Sequence, residues 1–172
     1  FQQSKRMTLL VVILAIFPIV LDTTILHIAI PSLTLALQAT GAEVLWIIDI
    51  YPLLMASLLI PMGTLADRIG QRRLLCVGLF VFGIGSAGAA FSPVALVLIG
   101  ARALTAVGAA MVLPCTLAVI RQTFKEDGER ATALGIWSAV GSAGAAVGPL
   151  AGGALLEHFW WGSVFLVNVP AM

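Results

Sequence analysis

Charged residues are scarce in this sequence, and their scarcity excludes most soluble proteins. Only 10% of the 172 residues are charged, whereas 60% are hydrophobic and the mean hydropathy is +1.10. A water-soluble domain of this size needs far more polar surface than these residues supply. Lipid is therefore the predicted solvent for most of the side chains.

Cysteine and histidine are also rare, with two residues of each. Cys76 and Cys115 lie within apolar runs without metal-ligand spacing, so both are interpreted as packing residues rather than as a disulfide or a metal site. His27 and His158 are isolated, and no nucleophile stands beside a base, which argues against a membrane-embedded enzyme. We expect no metal, no cofactor and no nucleic-acid partner.

Long apolar runs are what the sequence contains instead. A bilayer-spanning helix needs roughly 20 mainly apolar residues, and five stretches qualify, near Met7–Ile30, Leu45–Ala66, Leu74–Phe91, Val94–Ile120 and Ala131–Leu156. A sixth begins at Ser163 and runs to Met172. The first run is too long for a signal peptide and lacks a cleavage site. The pattern predicts an all-α membrane protein with five antiparallel transmembrane helices and the start of a sixth.

Basic residues collect on one side of the predicted membrane. Eight of the nine precede span one or follow spans two and four, namely Lys5, Arg6, Arg68, Arg72, Arg73, Arg121, Lys125 and Arg130. The opposite loops contain none, and an excess of Lys and Arg is typical of cytoplasmic loops. The distribution predicts a cytoplasmic N-terminus.

Three charges lie inside the predicted spans: Asp22 in "FPIVLDTTILHIAIP", Asp49, and Arg102. Each costs ~2.5–3.5 kcal/mol on insertion and usually faces a bundle interior. At ~1.5 Å per residue, Asp22 and Arg102 both lie roughly 12 Å below the outer surface, and Asp49 about 6 Å below it. Small residues share the helix faces of Asp22 and Arg102. The two charges are therefore predicted to pair if spans one and four are neighbours.

This pair has two interpretations that the residues alone leave open. It is either a structural ion pair that cancels two insertion penalties, or a proton site. Burial favours the neutral form of a carboxylate and a nearby cation favours the ionised form, so alternation between such surroundings would bind and release a proton. A cationic substrate would compete with the proton for one carboxylate. Asp49 is either a second functional acid or a residue that snorkels to the interface.

Glycines mark one face of span five. Gly141, Gly144, Gly148 and Gly152 recur at intervals of three and four residues, which places them on one helical side. That side is predicted to form a groove against which another helix packs or slides. Pro149 removes one backbone hydrogen bond and can bend the helix there.

The turn "GTLADRIGQRR" follows span two. Gly63 is expected to permit close packing, and Gly70 to supply the chain reversal. Asp67 opposes the dipole of a helix C-terminus, so it needs another partner. The candidates are the N-terminus of a neighbouring helix and the nearby Arg68, Arg72 and Arg73.

These segments resemble the motifs of one family. "GTLADRIGQRR" resembles motif A of the major facilitator superfamily, and "GSAGAAVGPLAGG" resembles its antiporter motif in the fifth helix. "LDTTILHIAIP" is similar to the first-helix motif of the fourteen-helix drug/proton antiporters, and "WIIDIY" and "FWWGSVFLVNVP" resemble segments of bacterial quaternary ammonium pumps. The resemblance implies that residues 1–172 are the N-terminal half of such a transporter, a helical bundle that lacks most of helix six.

The resemblance also implies a role for each matched residue. Asp22 matches the acid associated with proton coupling, and Arg102 matches the fourth-helix arginine of motif B. The motif A positions, which are thought to latch the two halves on the cytoplasmic side, correspond to Gly63, Asp67, Arg68, Gly70 and Arg72. The antiporter motif comprises Gly144, Gly148, Pro149 and Gly152.

Substrate binding is expected on span two. Asp49 matches an acid near the outer end of helix two in the most similar pumps. Aromatic and flexible side chains suit bulky apolar substrates, so Trp46, Tyr51 and Met55 join Asp49 as expected substrate-binding residues.

The sequence departs from the family pattern at several positions. His27 stands where the first-helix motif usually has Asn, and we expect it to form a hydrogen bond. Gln71 replaces a usual basic residue of motif A. Thr105 and Ala106 replace the usual Gln-Gly of motif B, so that motif depends mainly on Arg102.

The predicted function is proton-coupled export of lipophilic cations, such as quaternary ammonium biocides, across the bacterial inner membrane, together with the missing C-terminal helices. The spans contain the acids Asp22 and Asp49 but no lysine, which favours cationic substrates. One alternative is a major facilitator transporter for another small solute, which would need a polar cavity, whereas the spans contain few Asn or Gln. The other is a structural subunit that does not transport, which would not need Asp22.

Overall fold

The structure is a computed structural model that describes residues 2–170. Over that range it is helical without strands, with helices α1 Gln2–Leu37, α2 Gly41–Ile69, α3 Gln71–Ala90, α4 Ala95–Thr123, α5 Asp127–His158 and α6 Ser163–Leu166. The first five are long and apolar enough to cross a membrane. The protein is therefore a multi-pass membrane protein, and the five predicted spans are confirmed.

Several helices are longer than the apolar runs that predicted them. Helix α1 continues through Pro31 to Leu37, although a break was predicted from Pro31 onward. A proline removes only its own amide donor, so the hydrogen bonding of the helix resumes beyond it. Helix α2 then begins with a capping box, in which Thr40 Oγ1 accepts from Glu43 N and Glu43 Oε2 accepts from Thr40 N.

The sixth helix is shorter than predicted. It ends at Leu166, and turns follow through Pro170. In these turns Asn168 N donates to Phe165 O over 3.2 Å, which is a tighter spacing than in an α-helix. Pro170 has no N–H, so it cannot supply the α-helical hydrogen bond to Leu166 O. The predicted end of this helix, Ala171 and Met172, lies outside the described residues.

Helix α4 is the centre of one packing group, with α2 and α3 against it, while α1 packs mainly on α5. Helices α3 and α4 come close at glycines: a Cβ on Gly108 would lie 2.6 Å from Phe82 N, and one on Gly85 would lie 2.8 Å from Thr105 N. The most apolar segments of α2 and α5 are only 11% and 17% buried, against 44–50% for the other three long helices. These two helices leave a face uncovered within the described chain.

One end of the bundle carries the basic residues. Lys5 at the start of α1 forms an ion pair with Glu129 at the start of α5. Gln122 Nε2 near the end of α4 donates to Gln71 Oε1 at the start of α3 over 2.6 Å. These contacts bring the helix ends that bear the basic clusters to the same side, as predicted.

Candidate functional site

Asp22 and Arg102 form an ion pair in the interior of the bundle. Arg102 Nη1 donates to Asp22 Oδ2, and the two side chains are 1% and 0% exposed, respectively. Helices α1 and α4 approach closely here because small residues such as Ala15 and Ala106 are buried on the two faces. The predicted pairing of the two charges is confirmed.

Asn168 is a third member of this site, and sequence reasoning missed it. Its Nδ2 donates to Asp22 Oδ1 over 3.0 Å, and the residue is fully buried. Asn168 is the only asparagine in the sequence and stands in the apolar stretch "FLVNVP". A lone amide among apolar residues is costly in a membrane, and that cost was the signal that could have identified it.

Aromatic rings enclose the guanidinium of Arg102. Its Cζ lies 4.4 Å from the ring centroid of Tyr51 and 5.9 Å from that of Phe165. A guanidinium over an aromatic face is stabilised by a cation–π interaction, which is stronger away from water. We refer to these five residues, Asp22, Tyr51, Arg102, Phe165 and Asn168, as the buried charge cluster.

The buried charge cluster retains unused hydrogen-bonding capacity. Tyr51 Oη, Arg102 Nε and Asn168 Oδ1 are buried without a hydrogen-bond partner among the described residues. Buried polar atoms are normally paired, so three unpaired atoms in one place are unusual. The arrangement can therefore form further bonds if a proton or a polar group reaches Asp22.

Helix α5 packs its glycine face against the turn of α1 that carries Asp22. A Cβ on Gly148 would lie 2.8 Å from Thr24 Cβ, and one on Gly144 would lie 3.0 Å from Val20 Cγ1. Gly152 meets α1 in the same way, at Ile25. The predicted groove is confirmed at these three glycines.

At Gly141, the fourth glycine of the predicted groove, no neighbour within residues 2–170 packs against α5. A Cβ on Gly141 would meet nothing within 4 Å, so no other residue of the described chain packs closely at this position. Pro149, the remaining residue of the motif, is exposed and lies about 100° around α5 from Gly148.

The four residues predicted to bind substrate do not converge. Tyr51 is buried in the cluster, and Met55 packs against the same hydrophobic core. Trp46 and Asp49 are exposed on another face of α2, where they line an open pocket of about 470 Å³ with Leu45, Pro52 and Leu53. The helical repeat separates them, because successive residues are about 100° apart around the axis.

The α2–α3 turn presents its charges to solvent. Asp67, Arg68 and Arg72 are exposed, and none forms an ion pair or a side-chain hydrogen bond within residues 2–170. The partner expected for Asp67 is therefore not found in this part of the protein. Gly70 has φ +95°, so its predicted role in the chain reversal is confirmed.

Two smaller expectations are wrong. A Cβ on Gly63 would lie 3.8 Å from Pro114 Cβ, which is an ordinary contact, so packing does not require glycine there. His27 is exposed and makes no hydrogen bond with the described residues, because its position on α1 faces away from the other helices.

Comparison with known proteins assigns the chain to a family. The family model described as Major Facilitator Superfamily matches residues 12–172. The chain belongs to this family, whose members are membrane transporters and not enzymes. Efflux transporters of the family need no cofactor.

Several curated relatives are drug-resistance proteins. The methyl viologen resistance protein SmvA of Salmonella typhimurium is 57% identical over 95% of this chain and 33% of its own length. The multidrug efflux pump LfrA of Mycolicibacterium smegmatis is 47% identical over 95% of the chain and 32% of its own length. The multidrug resistance protein Stp of Mycobacterium tuberculosis is 35% identical over 98% of the chain and 31% of its own length. The chain thus spans about a third of the length of these relatives.

Proposed function

We propose that this chain is the N-terminal part of a proton-coupled antiporter that exports lipophilic cations, such as quaternary ammonium compounds. The observation that carries the proposal is the buried charge cluster. An acid paired with an arginine deep in a helical bundle is costly, and such residues in membrane proteins usually belong to substrate or proton pathways. Asp22 is the proposed coupling carboxylate, and Arg102 is the cation that stabilises its ionised form.

Cationic substrates are supported by the relatives and by the charges of the spans. One relative is a methyl viologen resistance protein, and methyl viologen is a quaternary dication. Asp49 and Trp46, which share the open pocket on α2, are the proposed first contacts for such a cation. Tyr51 and Met55 lie on the core side of α2, so we propose that they would reach substrate only if α2 moves.

The other motifs are assigned to movement between two halves of a longer transporter. The uncovered faces of α2 and α5 would pack against the C-terminal helices, as in folds that rock two halves around a central site. The exposed Asp67, Arg68 and Arg72, with Gly63 and Gly70, would form a cytoplasmic latch with that second half. Gly144, Gly148, Pro149 and Gly152 would let α5 slide against α1 beside Asp22.

The proposed location is the bacterial inner membrane, with the N-terminus in the cytoplasm. Its support is the accumulation of basic residues at one end of the bundle, since cytoplasmic loops are rich in Lys and Arg.

The test uses the full-length pump in inside-out vesicles with an acidified lumen. Addition of methyl viologen is expected to dissipate the pH gradient, and Asp22→Asn is expected to abolish this response. Asp127→Asn is the matched control, because the Asp127 side chain is 98% exposed at the start of α5. It should behave like the parent.

Each result decides between the alternatives. A normal response in Asp22→Asn would make Asp22 a structural partner of Arg102 and place coupling elsewhere. No response to any cation in the parent pump would contradict cation antiport and favour a transporter for another small solute.

A further inference from the structure

Asn168 and Arg102, the two hydrogen-bond partners of the Asp22 carboxylate in the described chain, differ in whether they can accept a hydrogen bond. An ionised carboxylate only accepts hydrogen bonds, whereas a protonated one also donates. Arg102 can only donate, so it cannot accept the O–H of the protonated form. The amide of Asn168 has a donor and an acceptor, and its acceptor Oδ1 is buried without a partner.

The orientation of the amide in the structure follows from the state of Asp22. With Asp22 ionised and bonded to Arg102, only Nδ2 of Asn168 can face Asp22 Oδ1, and it does so at 3.0 Å. A half-turn about the terminal side-chain bond would exchange the two ends of the amide without moving the backbone. The unpartnered Oδ1 would then face Asp22.

We propose that Asn168 is a positioning residue for proton coupling that serves both states of Asp22. Its amide donates to the ionised carboxylate and, after a half-turn, accepts from the protonated one. This inference rests on the proposed function, in which Asp22 is the coupling carboxylate. It adds to the coupling site a residue of the segment "FWWGSVFLVNVP", for which the resemblance implied no role.

The proton balance of the step is simple. A hydronium ion gives its proton to Asp22 Oδ1 and becomes water, and the new O–H donates to Asn168 Oδ1. The reverse step returns the proton to water as hydronium. No other group changes its charge. Arg102 loses its ionic partner but keeps its place over the Tyr51 ring.

The surroundings of Asp22 leave few other groups to take this role. Helix α4 contributes Arg102 and α2 contributes Tyr51, whereas α5 faces the Asp22 turn with glycines and no titratable group. The turn after α6 contributes Asn168. The hydroxyl of Tyr51 is also buried and unpartnered, so it is the competing acceptor.

Infrared difference spectroscopy of the purified full-length pump, between acidic and alkaline pH, tests the inference. The carboxylic acid band of Asp22 is the one that Asp22→Asn removes. In Asn168→Leu this band is expected to shift to the higher frequency of an acid without a hydrogen-bond acceptor. Tyr51→Phe, which keeps the ring but removes the hydroxyl, is expected to leave the frequency unchanged.

Asn168→Thr is a second variant that keeps the inference testable if Asn168→Leu does not fold. In Asn168→Thr the hydroxyl both donates and accepts, so the band should stay near its parental frequency. Methyl viologen antiport should fall roughly tenfold in turnover in Asn168→Leu, the effect of one lost hydrogen bond, and recover in Asn168→Thr. The KM for methyl viologen should change little, because Asn168 acts through Asp22.

The outcomes separate this inference from the proposed function. An unchanged band in Asn168→Leu, or a shift in Tyr51→Phe instead, would overturn the role of Asn168 and leave Asp22 as the coupling acid. If Asp22→Asn removed no band and the variant still exchanged methyl viologen for protons, Asp22 would not be the coupling acid and coupling would lie elsewhere. No response to methyl viologen in the parent pump would contradict cation antiport itself.

Discussion

The buried charge cluster and the α2–α3 turn contain the same residue types, aspartate and arginine, in opposite physical situations. Asp22 and Arg102 are buried and form an ion pair, whereas Asp67 and Arg72 are exposed and form none within the described residues. Lipid cannot solvate a charge, so charges in the interior must neutralise one another. Water at the membrane surface can solvate the charges of the turn.

The two sets of charges can therefore affect different properties of the protein. The interior pair is bound between helices of the described chain, so a change in its charge acts on the packing of α1 and α4. The turn charges form no ion pair with the described helices, which leaves them available to another surface. Variants at the two places should therefore separate stability from transport.

Arg102→Leu is expected to have the largest effect. It leaves the Asp22 carboxylate buried with Asn168 as its remaining hydrogen-bond donor, and removal of one partner of a buried ion pair costs about 3–5 kcal/mol. Thermal unfolding of the purified full-length protein measures the loss. The double variant Asp22→Leu/Arg102→Leu removes both charges and should recover most of the stability. Equal unfolding temperatures for the single and double variants would contradict the buried pair.

Gly148→Ala is expected to have the next largest effect, because it forces apart the helices on which Asp22 depends. The new Cβ would lie 2.8 Å from Thr24 Cβ, and overpacking of this kind costs about 1–3 kcal/mol. Gly153→Ala is the matched control on the same helix, where a Cβ meets nothing within 4 Å. It should be neutral or slightly stabilising, since alanine favours a helix. A similar loss in both variants in thermal unfolding would argue against the close contact between α1 and α5.

Gly70→Ala tests the turn through its backbone rather than its charges. At φ +95° an L-residue other than glycine is strained, at about 1–2 kcal/mol. Gly63→Ala, whose Cβ would make only an ordinary contact with Pro114, should leave the unfolding temperature unchanged or slightly raised, since alanine favours a helix. If the two variants unfolded alike, the turn would not depend on the left-handed conformation of Gly70.

Arg72→Gln is expected to change stability least. Its side chain is exposed and unpaired in the described chain, so the unfolding temperature should match that of the parent. Methyl viologen transport by the full-length pump should nevertheless fall, because the proposed latch would lose a charge. Loss of stability comparable with Arg102→Leu would remove the contrast between the two regions. Parental transport would exclude Arg72 from the latch.

The spans and the shared level of Asp22 and Arg102 were predictable because each depends on short stretches of sequence. Apolar runs predicted five of the helices, and the rise per residue placed Asp22 and Arg102 at one level. The ends of the helices were less predictable, as at Pro31, because hydrogen bonding continues where hydropathy has already fallen. The set of substrate residues on α2 was predicted by chemical type, and the structure divides it between two faces.

Sequence by itself determined the class of this protein: a bundle of apolar helices with an acid and an arginine inside, and a glycine face on the fifth helix. Tertiary structure alone decided what surrounds the acid. It brought Asn168 from the far end of the chain to Asp22 and placed Tyr51 beneath Arg102, while it left Asp67 without a partner in the described residues. The reason is that local periodicity specifies the face of a helix, whereas the neighbour of that face depends on how all the helices pack together.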